Sequence, residues 1–452
     1  MKIIYSSQLP ALFICICFYI CTGCEQPELD NPASLVTPAI QMYEGVSADL
    51  DQKDMTAAQQ NAVLVHTTQS GAIDGQYIVM FKEGTMGHET ARMAGSSDRT
   101  DGSAVIDRVE SMKAAFKENV LKELGQYKIP SSDVKEVICG ENINGAVVKL
   151  DKTALAKLKK DPRVKHIEED RLFSMSTIDP ATRAPMIPSS WSSNQQFINY
   201  GVSKVGGSVD RTGIPYWVWI VDTGVDLDHE DLNVNATYSK NFVSSSMSSN
   251  VHGDDGHGHG THVAGIVGAK DNSFGVVGVA AGITLVSVKV MSDTGEGTVS
   301  GLLNGLAWVE THGIRYDVVN LSLGGAVSEA IDDAIEDLSD KDIRVVIAAG
   351  NDSKNTNEVS PARVNDTGVY TISSVDFFDN FCSFSNFGSS VDYAAPGSGI
   401  LSTFPNDTYG FMSGTSMSAP HASGVLMVTR SPSSSGTAGN DPFGIADPLI
   451  TH

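Results

Sequence analysis

Three segments rich in small residues carry an aspartate, a histidine and a serine that suit nucleophilic attack on a carbonyl group. Ser416 follows Gly414-Thr415 and precedes an apolar stretch, and a hydroxyl held by small residues before a helix is presented as a nucleophile. His259 lies between glycines, and a neutral imidazole with a pKa near ~6.5 can take the serine proton. Asp222 ends an apolar run and can accept the other imidazole N–H, which fixes the tautomer and stabilises the imidazolium.

The order of these residues and the segments around them resemble the subtilisin-like serine peptidases over roughly residues 75–430. The matching segments are Val221–Gly224, Gly258–Gly265 and Ser413–His421. The resemblance implies a serine endopeptidase that hydrolyses peptide bonds through an acyl-enzyme on Ser416. The loop 352–359 and the segment Ser360-Pro361-Ala362 are similar to the proteinase K branch of the family.

The resemblance also implies an oxyanion hole and substrate contacts. Asn351 follows a strand end, and its side-chain amide together with the backbone N–H of Ser416 would stabilise the charge on the carbonyl oxygen. Leu321–Gly325 is similar to the family segment that pairs with the substrate backbone as an added strand, and 348–350 to the other wall of the specificity pocket. The implied substrate-binding residues are Ser322, Leu323, Gly324, Ala348, Ala349 and Gly350.

Two other interpretations of the same motifs are weaker. Asp-Thr-Gly occurs at Asp222, Asp293 and Asp366, as in the half-sites of aspartic proteases, but only Asp222 follows an apolar strand. Ser416 in a Gly-Thr-Ser stretch is also compatible with a purely structural helix cap. Three matching motifs in the same order argue against both.

A metal cluster is a further alternative. His257, His259 and His262 lie beside Asp254 and Asp255. However, no His-Glu-x-x-His is present, and the glycine spacing suits a backbone turn better than a ligand set. By resemblance, His262 packs inside the domain.

A loop after the His259 segment resembles the calcium loop of the family. Lys270–Val276 aligns without gaps from His259, and Asp231 lies nine residues after Asp222, where the family has a carboxylate ligand. Calcium takes six to eight oxygen ligands. The implied ligands are side-chain oxygens or carbonyls of Gln196, Asp231, Lys270, Asn272, Phe274 and Val276. A polar surface turn is the alternative.

Apolar strand candidates alternate with helical stretches from about Gln196 onward, which predicts a parallel β-sheet flanked by helices, an α/β fold. The strand candidates are Tyr216–Val221, Leu285–Val290, Val318–Leu321, Val345–Ala349 and Tyr370–Ser373. Chemistry in such sheets lies at the carboxyl ends of the strands, where Asp222 and Asn351 fall. We predict a catalytic domain over 176–452 that closes with a polar tail at 431–452.

Residues 75–175 show a β-α-β-β-α-β order, which predicts a small ferredoxin-like α+β domain. Tyr77-Ile78-Val79, Asn144-Gly145-Ala146 and 161–170 resemble the inhibitory propeptide that precedes subtilisin-like catalytic domains. The resemblance implies a zymogen that cleaves itself between about Ser174 and Ala184 and is inhibited by its own propeptide. An unrelated ferredoxin-like module is the alternative.

The first 24 residues are predicted to be a signal peptide, because their apolar core at 11–20 is too short to span a bilayer comfortably. Cys21-Thr22-Gly23-Cys24 resembles a lipobox in which Cys24 is lipidated, and free secretion is the alternative. Residues 25–74 are predicted to be a polar tether. We therefore expect export, either to the extracellular space or as a lipoprotein of the cell envelope.

The chain has 452 residues, 41% of them hydrophobic, enough for a large core in two or three domains. The net charge of -23 argues against nucleic acid as a partner. The resemblance implies polypeptide substrates, and we expect a monomer. Outside the leader only Cys139 and Cys382 occur, and we expect Cys382 to be buried and inert. A competing function is a catalytically silent lipoprotein that binds peptides in the same cleft.

Overall fold

The computed structural model describes residues 62–86, 102–175, 195–244, 247 and 252–452. The predicted signal peptide, Cys24 and the predicted tether up to residue 61 lie outside the described residues. None of the helices in the described ranges combines the length and the apolar character that a membrane span requires.

The N-terminal domain follows a short strand, β1 (Val63–Leu64). Its elements in chain order are β2 (Thr67–Phe81), α1 (Gly102–Gly125), β3 (Val134–Cys139), β4 (Asn144–Lys149), α2 (Lys152–Leu158) and β5 (Val164–Met175). The antiparallel order β5-β2-β4-β3 confirms the predicted ferredoxin-like domain. Phe116, Val120 and Leu124 recur every four residues on α1, so one face of this helix packs into a core with Val79 and Phe81.

The second domain has strands and helices throughout its described length. Its strands are β6 (Gln196–Phe197), β7 (Trp217–Asp222), β8 (Lys240–Asn241), β9 (Gly275–Val276), β10 (Thr284–Lys289), β11 (Glu296–Thr298), β12 (Val318–Leu321), β13 (Gly325–Ala326), β14 (Arg344–Ala348), β15 (Val359–Ser360), β16 (Val369–Val375), β17 (Val391–Pro396), β18 (Ile400–Phe404), β19 (Thr408–Ser413), β20 (Ser433–Thr437) and β21 (Pro448–Thr451). Its helices are α3 (Tyr200–Lys204), α4 (His259–Gly268), α5 (Val299–His312), α6 (Glu329–Asp340) and α7 (Thr415–Val428).

Within the described residues, the main sheet has nine strands in the order β20-β21-β17-β16-β14-β12-β7-β10-β8. All pairs from β17 to β8 are parallel, which confirms the predicted parallel sheet. The strands β7 and β12 are buried along their whole length, as continuous apolar runs in parallel sheets usually are. Helices α4 and α7 contact each other, as do α5 and α6.

The register of the central strands sets up one edge of the sheet. Leu321 of β12 pairs with Val221 of β7 on one side and with Ile347 of β14 on the other. The residues that follow these three positions therefore lie side by side at the carboxyl ends of the strands. Asp222 is one of them, and the chain after β14 reaches Asn351 within three residues.

The prediction of a polar tail at 431–452 was wrong. This stretch forms β20 and β21, and β21 adds to the main sheet beside β17. Ile450 is 1% exposed, so an apolar side chain anchors the segment. The strand β20 was not predicted, because its residues are exposed serines, glycine and threonine without an apolar pattern.

The predicted tether is also shorter than the sequence suggested. Residues 62–74 were assigned to it, yet β1 lies within them and β2 begins at Thr67. The first part of β2 pairs with the end of β5. A strand that is distant in the sequence therefore holds this polar segment in an extended conformation.

Candidate active site

Asp222 and His259 form a buried pair at the carboxyl edge of the sheet. Asp222 ends β7, His259 begins α4, and neither side chain is exposed. The imidazole Nδ1 lies 2.7 Å from Oδ1 of Asp222, which is hydrogen-bond distance. The other ring nitrogen, Nε2, has no hydrogen-bond partner among the described residues, so it can accept a proton.

The turn that delivers His259 is held by the buried carboxylate of Asp255. This carboxylate accepts hydrogen bonds from the hydroxyls of Thr223 and Thr261 and from the backbone N–H groups of His257, Gly258 and Thr261. Sequence reasoning considered Asp255 only as a candidate metal ligand. The signal that it missed is an aspartate shortly before a helix start, where its oxygens can accept from free N–H groups.

A close backbone contact ties the start of α4 to the end of β7. A Cβ on Gly260 would lie 1.9 Å from the carbonyl oxygen of Gly224 and 3.1 Å from Cβ of Asp222. No other residue fits without moving the helix, and such a shift would separate His259 from Asp222.

Ser416 lies in the first turn of α7 and is 3% exposed. Its Oγ donates to the carbonyl of Ser322 at 3.0 Å, and the Ser322 hydroxyl donates to the Ser416 carbonyl at 2.9 Å. The described contacts thus place Ser416 at the carboxyl edge without a hydrogen bond to His259. Rotation about χ1 frees the Ser416 hydroxyl for another acceptor.

The side-chain amide of Asn351 is held at its oxygen by Thr415, and its nitrogen donates to another segment. Its Oδ1 accepts from the backbone N–H and the hydroxyl of Thr415, each at 2.9 Å. Because the donors at Oδ1 fix which end of the amide is which, Nδ2 points away from Thr415. It donates to the carbonyl of Val65 at 2.6 Å. Sequence reasoning missed the role of Thr415, although it directly precedes Ser416 in the motif.

The predicted substrate residues Ser322, Leu323 and Gly324 follow β12 near Ser416. Leu323 is buried, and a Cβ on Gly324 would lie 3.3 Å from the carbonyl of Ser360. The strand β13, which begins directly after Gly324, pairs with β15. No described strand pairs with Ser322, Leu323 or Gly324. Their pairing with a substrate stays a prediction.

The other predicted substrate residues, Ala348, Ala349 and Gly350, lead from β14 to Asn351. Ala348 and Ala349 are buried, and the Gly350 N–H donates to the Thr415 hydroxyl at 3.0 Å. The segment therefore positions Asn351 through the backbone. Its role as a pocket wall stays a prediction.

The end of β5 pairs with β11, next to the segment that leads to His259, since a Cβ on Gly295 would lie 3.2 Å from Nε2 of His257. We call the surface between β11 and the carboxyl edge of the sheet the cleft. Leu172–Ser174 runs antiparallel to β11, and the Met175 N–H donates to the Gly295 carbonyl at 2.7 Å. The Phe173 ring covers Gly297, where a Cβ would lie 2.8 Å from the ring. Sequence reasoning missed β11 as a docking edge, because Gly295-Glu296-Gly297 has no apolar alternation and its strand partner is distant in sequence.

Polar contacts fasten the N-terminal domain to α5. Asp170 accepts from the N–H of Ser300 at 3.1 Å and from its hydroxyl at 2.7 Å, at the positive end of the helix. Farther along, Glu310 accepts from the N–H groups of Asn142 and Ile143 at 2.8 and 3.1 Å. Burial raises the pKa of Glu310 to about 7.

The six predicted calcium ligands lie in one loop cluster, centred on Asp231. Asp231 is completely buried and accepts from Nδ2 of Asn272 at 2.7 Å, the N–H of Val276 at 3.0 Å and the hydroxyl of Tyr409 at 3.3 Å. Burial raises the pKa of Asp231 to about 6. All three donors are neutral, so a bound cation would compensate the negative charge of this buried carboxylate.

The rest of the cluster supplies carbonyl and amide oxygens. Gln196 Nε2 donates to the carbonyl of Lys270 at 2.8 Å and to that of Val276 at 3.4 Å, and the Phe274 N–H donates to Oδ1 of Asn272 at 2.8 Å. A half-turn of either side-chain amide exchanges its nitrogen for an oxygen. The donor set therefore fits a hard cation.

Two of the three clustered histidines contact other protein groups, which weakens the metal interpretation. His259 faces Asp222, and His262 Nε2 faces the carbonyls of Ile400 and Gly410 at 3.0 and 3.1 Å. Burial lowers the pKa of His262 to about 3, so it is a neutral core residue. In the part of the chain that the structure describes, no three His, Cys, Asp or Glu side chains are grouped to hold a metal.

The remaining alternatives also lose support. Asp293 pairs with Lys289 at 2.7 Å, and Asp366 lies in an exposed turn, so neither forms a carboxylate pair with Asp222. Cys382 is buried, as predicted, and burial raises its pKa to about 12, so its thiol is a poor nucleophile.

Known proteins are similar to this chain in sequence. Residues 216–439 match the sequence profile of the Subtilase family, and residues 76–176 match that of Peptidase inhibitor I9. The chain therefore belongs to the subtilase family, as a serine endopeptidase with an inhibitory propeptide domain before its catalytic domain.

Three known proteins are between 31% and 34% identical to this chain in sequence. Subtilisin NAT of Bacillus subtilis subsp. natto is 34% identical over 76% of this chain and 84% of its own length. Alkaline serine exoprotease A of Vibrio alginolyticus is 33% identical over 84% of this chain, which spans 64% of that protein. The crystal structure of a cold adapted subtilisin-like serine proteinase is 31% identical, with a TM-score of 0.49, and covers 56% of this chain and 97% of its own.

Proposed function

We propose that Asp222, His259 and Ser416 form the catalytic triad and that Asn351 is the oxyanion donor. One observation carries the proposal. Beside a buried Asp–His pair, the anchored amide of Asn351 donates to a backbone carbonyl, that of Val65, at 2.6 Å. A group that binds a peptide carbonyl in the ground state is placed to bind the oxyanion that develops from one.

Catalysis begins when Ser416 leaves the Ser322 carbonyl and attacks the scissile carbonyl carbon, while Nε2 of His259 takes the hydroxyl proton. Asp222 accepts the Nδ1–H and stabilises the imidazolium. The oxyanion accepts hydrogen bonds from Nδ2 of Asn351 and from the N–H of Ser416. His259 then protonates the leaving amine, which departs and leaves an acyl-enzyme. Water, deprotonated by His259, hydrolyses the ester and restores the serine.

Labelling with a serine-directed phosphonate tests the proposal. The mature protein should be labelled at Ser416, whereas a silent peptide-binding protein would bind peptides and stay unlabelled. Ser416→Ala or His259→Ala should lose about 10⁶ in kcat, because members of a triad act as a unit. Hydrolysis at a near-normal rate by purified Ser416→Ala would contradict this mechanism.

We further infer that the protein is a zymogen that processes itself. The support is the path of β5, which pairs with β11 and whose last residue, Met175, donates to the carbonyl of Gly295 directly before β11. The next residues, 176–194, lie outside the described chain. We propose self-cleavage between about Ser174 and Ala184, which this path supports. Mass spectrometry of the wild type beside Ser416→Ala tests it, because equal processing of both would mean that another protease cuts.

Calcium is proposed as a structural cofactor. Its ligands would be Asp231, the side-chain oxygens of Gln196 and Asn272, and carbonyls of the 270–276 loop. The ion would join β6, at the start of the catalytic domain, to the loop after α4. It takes no part in the chemistry.

Export is part of the same proposal. The leader at 1–24 supports it, with Cys24 as the lipidated residue or with free secretion. Cell fractionation with mass analysis of the mature N-terminus separates the two. Polypeptides are the expected partners, and size-exclusion chromatography of the inhibited enzyme tests the expected monomer.

A further inference from the structure

We propose that residues 62–66 are a second inhibitory segment, separate from the end of β5, which covers the amide of Asn351 and keeps the precursor latent. The proposal rests on the proposed function, because covering Asn351 matters only if that amide stabilises the oxyanion.

The segment binds as an added strand beside the active site. β1 runs parallel to β19, with Val63 opposite Met412 and Leu64 opposite Ser413. The next residue, Val65, donates its N–H to the Ser413 carbonyl at 3.1 Å. β19 leads directly to Gly414 and the nucleophile motif, so the segment lies along the approach to Ser416.

The carbonyl of Val65 takes the place that an oxyanion would need. It accepts from Nδ2 of Asn351 at 2.6 Å, and Val65 as a residue is 1% exposed. A Cβ on Gly414 would lie 3.1 Å from Nδ2 of Asn351 and 3.6 Å from this carbonyl oxygen, and Gly414 has φ +145°. The absence of a side chain at Gly414 therefore leaves room for the contact.

The segment is tied to the end of the propeptide domain that enters the cleft. Two residues after Val65, Thr67 begins β2 and pairs with Met175, the last residue of β5. Met175 in turn donates to Gly295 of the β11 edge. One pair of strands thus carries both occupants, with the end of β5 on β11 and the 62–66 segment on β19.

The two occupants compete for one donor during processing. The carbonyl of the scissile bond, proposed to lie between about Ser174 and Ala184, needs Nδ2 of Asn351, which donates to Val65. While Val65 is bound, Ser416 donates to the Ser322 carbonyl. The segment is therefore a blocker, and self-cleavage follows its departure from Asn351.

Self-processing of the full-length chain tests the order of events. Val65→Asp places a carboxylate in a buried position and should expel the segment. If most precursor molecules hold the blocked state, releasing it should speed self-cleavage about fivefold or more, since the rate follows the competent fraction. Ile445→Asp is the matched control, because Ile445 is 76% exposed and its replacement should leave the rate unchanged. An unchanged rate in Val65→Asp, or cleavage at the Val65–His66 bond, overturns the proposal.

Hydrogen exchange of the full-length Ser416→Ala precursor gives a readout that needs no catalysis. The backbone of 62–66 should be protected there and should lose protection when Val65→Asp is added, while peptides from the main sheet keep theirs. Exchange of 62–66 at the rate of an unstructured peptide overturns the proposal. If no variant processes itself, the proposed function fails, and exchange alone decides whether the segment is bound.

Discussion

The hydroxyl and the backbone N–H of Thr415 both donate to Oδ1 of Asn351, each at 2.9 Å. Thr415→Val removes the hydroxyl and keeps the shape, so Asn351 retains one anchor and the Gly350 N–H loses an acceptor. We expect kcat to fall about tenfold with KM little changed, because one net hydrogen bond contributes about 0.5–1.5 kcal/mol. Steady-state kinetics on a peptide substrate measures both constants.

Two further variants bracket that result. Thr415→Ser keeps the hydroxyl and should restore kcat, whereas Asn351→Ala removes the donor itself and should lose about 10² to 10³ in rate. A Thr415→Val enzyme with wild-type kcat, or one altered only in KM, would contradict the positioning role.

Phe173 should contribute most of the binding free energy between the end of the propeptide domain and β11. The residue is 4% exposed, and its ring covers Gly297. Truncation of a buried aromatic costs about 3–5 kcal/mol, so Phe173→Ala should weaken trans-inhibition by the released propeptide at least about a hundredfold. Leu172→Ala is the matched control, because adjacent strand residues face opposite sides and Leu172 is only partly buried. Equal inhibition constants for the two variants would argue that the backbone alone holds the strand.

Calcium should raise the melting temperature of the inhibitor-blocked enzyme. A ligand that binds only the folded state stabilises it by about 2.7 kcal/mol at a hundredfold excess over Kd. Asp231→Ala deletes the charged ligand and should abolish most of this gain, whereas Asp271→Ala, an exposed change in the same loop, should keep it. Melting curves in calcium and in chelator decide the matter. The same midpoint in both, or a full calcium shift in Asp231→Ala, excludes the site.

Asp447 should make the fold less stable as the pH rises. Burial raises its pKa to about 7, while Ser373 donates to it at 2.5 Å. Because the folded state holds this proton more tightly than the unfolded state, the contribution is complete below pH ~4 and is lost as the pH rises through about 7. Asp447→Asn in the Ser416→Ala background should therefore raise the melting temperature at pH 8 more than at pH 5. An equal shift at both values would assign the effect to packing.

The sequence was informative where a local pattern carries the structure. The apolar run before Asp222 predicts β7, and Val318–Leu321 was predicted with its observed bounds, because a buried parallel strand is a continuous apolar stretch. From parallel strands alone, the shared carboxyl edge of Asp222 and Asn351 follows.

It was uninformative where a role depends on a partner distant in the chain. Thr415 and Asp255 act through hydrogen bonds to groups that only folding brings near, and their residue types suit many surface turns equally well. Glu296–Thr298 forms a strand through pairing with β5, and Ser433–Thr437 through pairing with β21. Side-chain periodicity does not record such pairings.

The docking of β5 on β11 uses backbone groups over several consecutive residues, which limits what the cleft can accept. A polypeptide substrate must present an extended segment whose backbone N–H and C=O groups are unpaired. In native helices and sheets these groups are already hydrogen-bonded, so such segments do not bind. For a folded target, the susceptible fraction is then set by the free energy of its local unfolding. Among proteins of equal sequence preference, the least stable segment is expected to be digested first.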